Sequence, residues 1–169
     1  MSRARTSVAV MALSMLAFTA LKSHEGYSST AVIPVKNDRP TIGHGSTFWE
    51  DGTPVKMGET ITPERAVVLA KKHVSKEEEI FRRSINGAYL HQEEFDLYMD
   101  FVYQFGIGNW NGSSMRKNIL KQNYRAACDS LLRYKYGPGK FDCSTPGNRI
   151  CRGVWNRQVA RHAKCVAAQ

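Results

Sequence analysis

The chain changes its period at Thr62-Pro63, and that change limits the folds open to it. Before it, short apolar runs alternate with turn formers: Ala31-Val32-Ile33-Pro34, Asn37-Asp38-Arg39-Pro40, Thr41-Ile42-Gly43 and Asp51-Gly52. These read as strand pieces of a small antiparallel sheet. After it, Thr62 reads as a helix N-cap with Pro63 at the first helical position, and Ala66, Leu69, Ala70 and His73 recur at helical spacing. Further helices are expected over residues 76–84 and 93–105, the latter with Phe95, Tyr98, Met99, Val102 and Phe105 on one face and Gly106-Ile107-Gly108 as its stop. Others are expected over 114–121, 124–134 and 154–166, with Gly137-Pro138-Gly139 as a break. The fold class is α+β, a small antiparallel sheet lobe followed by a larger helical lobe. At 169 residues the chain is long enough for one domain with its own core.

All four cysteines, Cys128, Cys143, Cys151 and Cys165, fall in the last quarter of the sequence. Three pairings are open to them. Cys143 and Cys151 flank Ser144-Thr145-Pro146-Gly147-Asn148, a turn-forming run that makes a local bridge natural; Cys128 then pairs with Cys165 and ties the last helix to an earlier one. Two bridges imply an oxidising compartment, whereas four buried thiols would not. No Cys-x-x-Cys occurs, which disfavours a zinc ribbon. The net charge is +9, from 24 Lys+Arg against 15 Asp+Glu. Such a surplus suits a polyanionic partner, and equally serves plain solubility.

Residues 6–21 carry no charge and follow Arg3 and Arg5. The stretch is shorter than the roughly 20 residues that usually span a bilayer, and Thr6, Ser7, Ser14 and Thr19 dilute it. The basic flank places Arg3 and Arg5 on the cytoplasmic side. Three fates are open: a cleaved signal peptide, a permanent anchor, or a marginal anchor that enters the membrane and later leaves it. The small-x-small pattern for cleavage is poor, because Phe18 precedes Ala20 and Leu21 precedes Ser23 by two places. The expected division is residues 1–22 as this segment and 23–169 as the catalytic domain.

Glu25-Gly26-Tyr27 follows at once, and Thr41-Ile42-Gly43-His44-Gly45 lies one short loop later. A carboxyl and a hydroxyl at the two ends of a turn-rich segment suit glycoside hydrolysis. That reaction needs an acid on the leaving oxygen and a second group that manages water or positive charge. Glu25 is the candidate acid, since partial burial raises a glutamate toward neutral pH.

His24-Glu25-Gly26-Tyr27, Asp38 to Gly45, Lys56-Met57-Gly58, Glu94-Phe95-Asp96 leading into Phe101-Val102-Tyr103-Gln104-Phe105-Gly106, Ser113-Ser114-Met115-Arg116-Lys117 and Gly153-Val154-Trp155-Asn156-Arg157-Gln158-Val159-Ala160 occur in that order. Together they resemble the phage-type lysozymes of glycoside hydrolase family 24, from about residue 24 to the end. The resemblance implies a two-lobed lysozyme fold and cleavage of the link between N-acetylmuramic acid and N-acetylglucosamine in peptidoglycan. It also implies a Glu–Asp–Thr set. Glu25 falls on the acid and Thr41 on the hydroxyl. The usual position of the middle carboxylate holds Pro34, so either Asp38, three residues before Thr41, takes that role from a reshaped loop or Thr41 works largely without it; Asp38 is the favoured candidate. Asp38 also fits plain turn chemistry. His44 and Gln104 are candidate substrate contacts. Many members that cause phage lysis carry a releasable anchor. By that resemblance the protein waits on the inner membrane and becomes active in the periplasm. While residues 6–21 span the bilayer, Glu25 stays within about 6 Å of its apolar end.

Trp49 and Trp110 could stack on sugars, though a lone Trp is more often core, and Trp155 reads as core. Residues 76–79, Lys-Glu-Glu-Glu, read as a solvated helix face. His73, His91 and His162 have no metal-ligand spacing and no His-Glu-x-x-His occurs, so no metal or other cofactor is expected. The expected partners are peptidoglycan and, before release, the inner membrane. Nucleic acid is not among them, and a monomer is expected. The competing reading is a membrane-tethered basic wall-binding protein without hydrolase activity.

Overall fold

The computed structural model describes residues 3–34 and 38–169, with the side chains of all of these except 22–25 and 138. The chain forms two compact units: residues 14–80, and residues 1–13 together with 81–169.

The first unit begins with helix α1 (Met15–Glu25), whose N-cap Ser14 accepts a hydrogen bond from the Ala17 N–H at 3.1 Å. Strands β2 (Ser28–Val32) and β3 (Thr41–Gly43) pair antiparallel, with Ser28 opposite Gly43 and Val32 opposite Thr41. Four steps on β2 thus match two on β3, which bulges the ladder. Helix α2 (Pro63–Ser84) starts where Thr62 Oγ1 accepts from the Arg65 N–H at 3.3 Å. Ala31, Ile42, Val55, Ile61, Ala66 and Leu69 form this unit's core, with Trp49 packed on its edge.

The second unit is helical. A short strand β1 (Thr6–Ser7) pairs antiparallel with β4 (Tyr89–Leu90). Helices α3 (Gln92–Gly112), α4 (Ser114–Leu120), α5 (Tyr124–Ser130) and α6 (Arg152–Ala167) follow. Their core surrounds Trp110, which is fully buried and donates its indole N–H to Ser84 Oγ at 2.8 Å. Phe81, Tyr98 and Phe101 pack around it. The expected bridges both form, Cys143–Cys151 and Cys128–Cys165, the second joining α5 to α6. Arg161 on α6, only 3% exposed, is paired with Asp100 on α3 and donates to Gln158 Oε1 at 2.6 Å.

Three expectations change. Residues 63–84 form one helix rather than two, because Val74, Phe81 and Ile85 carry the buried stripe past the charged run at 76–79. That run is a solvated face only in part: Lys76 and Glu79 are exposed, but Glu78 is buried, and Glu77 Oε2 is buried without a hydrogen-bond partner among the described residues. Gly106 does break its helix, with φ 80° and ψ 156°, but helical backbone resumes and reaches Gly112.

The apolar segment 6–21 is built into both units. Val8 is fully buried and its N–H bonds the Ala88 carbonyl; Met11 lies in the same core, and Phe18 and Leu21 are buried on α1. Among the described residues no helix is long and apolar enough to cross a membrane. Just ahead of the segment, Arg5 enters a buried knot. Its Nε donates to Glu94 Oε2 at 3.0 Å, its Nη2 donates to Gln169 Oε1 at 2.8 Å, and its guanidinium lies 3.6 Å over the Tyr124 ring. Glu94 is wholly buried and also accepts from the His91 N–H at 2.8 Å and from Gln169 Nε2 at 2.9 Å.

Removing one partner from a buried pair strands the other charge, at a cost of about 3 kcal/mol. Arg5→Met is therefore expected to lower unfolding stability by about that amount, and Arg5→Met with Glu94→Met by less; urea titrations read both. Burial raises the Glu77 carboxyl above its ordinary value. A raised folded value favours folding below the unfolded value and loses that contribution as pH rises through the folded one. Glu77→Gln should accordingly match the parent at pH 4 and melt at a higher temperature at pH 7.

Candidate functional site

Glu25 closes α1, and Gly26 turns the chain with φ 71° and ψ −164°. Strand β2 begins two residues later. The expected acid therefore sits on backbone where a helix hands over to a hairpin; its side chain lies outside the described residues. Asp38 and Thr41 belong to the same hairpin. Thr41 stands across from Val32 and donates its hydroxyl to the Val32 carbonyl at 3.3 Å. From Gly43, the partner of Ser28, Thr41 is two strand residues away, roughly 7 Å by strand rise. Asp38 is exposed, and its Oδ1 accepts the Arg39 backbone N–H at 2.8 Å.

His44 follows β3 and folds back on the helix end. Its Nδ1 lies 2.5 Å from the Gly26 carbonyl oxygen, which makes Nδ1 the protonated nitrogen and Nε2 the acceptor of the neutral ring. The Tyr27 ring packs on the imidazole at 5.8 Å between centroids, and the Tyr27 hydroxyl donates to the Ile61 carbonyl at 2.9 Å. Tyr27 thereby secures the turn that carries Glu25 and the ring of His44. Sequence reasoning quotes Tyr27 within Glu-Gly-Tyr but gives it no role; an aromatic beside a helix-ending glycine is the only signal there. Trp49 sits half-buried, with its indole N–H on Glu59 Oε2 at 2.8 Å and the Arg65 guanidinium 4.6 Å from its ring. The Lys56 N–H and that indole N–H hold the Glu59 carboxyl below its usual range.

Glu25, Asp38, Thr41 and His44 thus come from one helix end and one hairpin of one unit. Gln104 belongs to the other unit, on α3 two residues before the Gly106 kink, and its Oε1 is buried without a hydrogen-bond partner. That unmet acceptor is suited to a ligand N–H. Trp110 is core, while Trp155, expected in the core, is only half-buried. The groups can do acid–base and hydroxyl chemistry. Among the described residues the one metal-type grouping is Glu94 with Cys128 and Cys165, whose sulfurs are bonded to each other.

Gly43 fixes this hairpin against α2. Its φ is +64°, and an added Cβ would lie 2.9 Å from Ala66 Cβ. Gly43→Ala is expected to destabilise the chain by about 2 kcal/mol through strain and overpacking, read by urea unfolding, with amide shifts of Thr41 and His44 moving most.

Residues 22–161 match the model of the family described as Phage lysozyme. The endolysin of Salmonella phage P22 is 30% identical over 151 residues, covering 86% of this chain and 99% of that one. A SAR-endolysin of Enterobacteria phage PA-2 is 26% identical over 132 residues, 77% of each chain. Among solved structures, an endolysin from Escherichia coli O157:H7 phage FAHEc1 superposes with a TM-score of 0.74 at 25% identity, covering 95% of this chain and 96% of that one. With its small sheet and dominant helices on the lysozyme plan, the chain belongs to the phage lysozyme family, glycoside hydrolases of the muramidase type.

Proposed function

We propose that the protein is an endolysin that hydrolyses the β-1,4 bonds between N-acetylmuramic acid and N-acetylglucosamine in peptidoglycan during host lysis. Glu25 delivers the proton to the leaving oxygen. The Thr41 hydroxyl and the Asp38 carboxylate manage the water and the developing positive charge. His44 and Gln104 contact the sugars. The observation that carries this reading is the tie from His44 to the Gly26 carbonyl, which holds β3 against the turn that ends the Glu25 helix. No step calls for a metal or cofactor, and one chain supplies every group named.

Residues 1–22 act as a releasable anchor, and the names of two relatives, SAR-endolysins of phages PA-2 and P21, support this. In the folded chain residues 6–21 supply β1 and most of α1, so the same residues cannot span a bilayer and complete the fold together. The tethered form is inactive because the helix that ends in Glu25 is then lipid-bound. The enzyme works after release into the periplasm.

Turbidity clearing of purified cell walls tests the chemistry. Glu25→Gln should lose about 10³-fold, within the range for a general acid, and Asp38→Asn less; clearing that survives Glu25→Gln overturns the assignment. For the anchor, Ser14 is a poor target, since its hydroxyl caps α1. Thr19 and Ala20 are exposed in the fold. Leucine at both positions should hold the protein in the membrane fraction and silence it, and full clearing by that membrane-held form would rule out the control.

A further inference from the structure

The Cys128–Cys165 bridge is wholly buried in the helical unit, and the side chains layered over it lead out to the N-terminus. A Glu94 carboxylate oxygen lies within 4.8 Å of both sulfurs. Gln169 Nε2 lies 3.5 Å from Cys128 Sγ, and it donates to Glu94 Oε1 at 2.9 Å and to the Cys165 carbonyl at 3.0 Å. The Tyr98 hydroxyl, also buried, lies 3.4 Å from Cys165 Sγ. Arg5 closes this stack from outside. Its guanidinium reaches Glu94 and Gln169 Oε1 and lies over the ring of Tyr124, the first residue of the helix that holds Cys128. The Arg5 side chain is 19% exposed, whereas that of Glu94 is fully covered.

The rest of the N-terminus holds to residues nearer the start of α3. Arg3 Nη1 donates to Glu93 Oε1 at 2.7 Å, and Thr6 and Ser7 pair with β4. The Val8 N–H bonds the Ala88 carbonyl at 3.1 Å, and Arg82 and Gln92 donate to the Met11 and Ala12 carbonyls at 2.8 and 2.9 Å. Arg5 reaches further, to α5 and to the residue just beyond the bridged end of α6. The bridge fixes those two sites relative to each other. With the bridge open, Tyr124 and Gln169 lose that spacing and the seat of Arg5 divides. With Arg5 withdrawn, Glu94 is a buried charge without its cation, which favours opening of the stack beside the sulfurs. Each event thus weakens the other, as linkage between two sites requires.

We propose that the N-terminus and the Cys128–Cys165 bridge form one redox-sensitive lock: Arg5 docks tightly only on the bridged chain, and docked Arg5 shields the bridge from reduction. The bridge closes by exchange with a disulfide-bearing oxidant. The two thiols give up two protons and two electrons, the S–S bond forms, and the oxidant leaves as its dithiol. Docking follows closure, because the exchanging sulfur has to reach Cys128 or Cys165 before Glu94, Gln169 and Arg5 cover them. The second bridge has other surroundings: Gly137 backs Cys143–Cys151, and Asn148 Nδ2 lies 3.7 Å from Cys151 Sγ. Resting on the release reading above, the lock adds a condition to it. A freed N-terminus completes the helical unit only where the thiols have been oxidised.

The test uses the full chain with both bridges closed, treated with excess dithiol. The dithiol passes two electrons and two protons to each bridge it opens and leaves as a cyclic disulfide; freed thiols are alkylated at intervals and assigned by peptide mass. Arg5→Met should open Cys128–Cys165 about tenfold faster than the parent, within the usual range of coupling between sites, while Cys143–Cys151 keeps its rate. Gln169→Ala should give the same pattern, and Arg5→Lys, which keeps the charge but loses the fork, should fall between. The reverse coupling is read on Cys128→Ala with Cys165→Ala: hydrogen exchange at the Val8 amide should speed by about tenfold, with that of Ala66 in the other unit unchanged. Equal opening rates in parent and Arg5→Met overturn the proposal. So does equal acceleration of both bridges, the mark of a general loss of stability, and so does unaltered exchange at Val8. These readings need neither membrane nor substrate. Their failure leaves the muramidase and anchor readings standing, and failure of wall clearing leaves the lock standing.

Discussion

The buried contact between Arg5 and Glu94 is the constraint on which the helical unit depends. Glu94 caps its own helix through the His91 N–H while pairing with a guanidinium 89 residues earlier in the chain. Gln169, the last residue, supplies the remaining donor and acceptor. An ionised carboxylate without these partners would be costly to bury, so Arg5 and Gln169 stabilise the helical core by satisfying Glu94. The Cys128–Cys165 bridge anchors the end of α6, and Gln169 just beyond it donates to the Cys165 carbonyl, which holds the C-terminal half of this arrangement ready for Arg5.

The N-terminal segment therefore has two sets of demands written into one stretch. Val8, Met11, Phe18 and Leu21 are apolar because they fill cores, and the intervening Ser7, Ser14 and Thr19 hydroxyls cap turns or bond helical backbone. The same mixture makes a weak membrane segment. In the folded state the hydroxyl groups are not dilution; each has a backbone partner.

Much of the fold is legible because its signals are local. Thr62-Pro63 and Ser113 start helices by side-chain caps, and two strands pair antiparallel where the apolar runs lie. The cysteine pairing is legible from the turn-rich run between Cys143 and Cys151. What is not legible is nonlocal. The 76–79 charge run hides a continuous helix, since burial of Glu78 is decided by distant packing. Trp155 looks like core by residue type but stands half-open over a loop that folds in front of it. At the candidate site the hairpin holding Thr41 and His44 can be read from turn residues. The hold of His44 on the Gly26 carbonyl cannot, because it joins residues 18 apart in sequence that no local pattern brings together.

Gly137 is what lets the chain pass behind the closed loop: a Cβ there would lie 2.9 Å from Cys143 Sγ and 3.0 Å from Cys151 Sγ, so any larger residue would have to push the bridge, and the loop it closes, away from the backbone that crosses it.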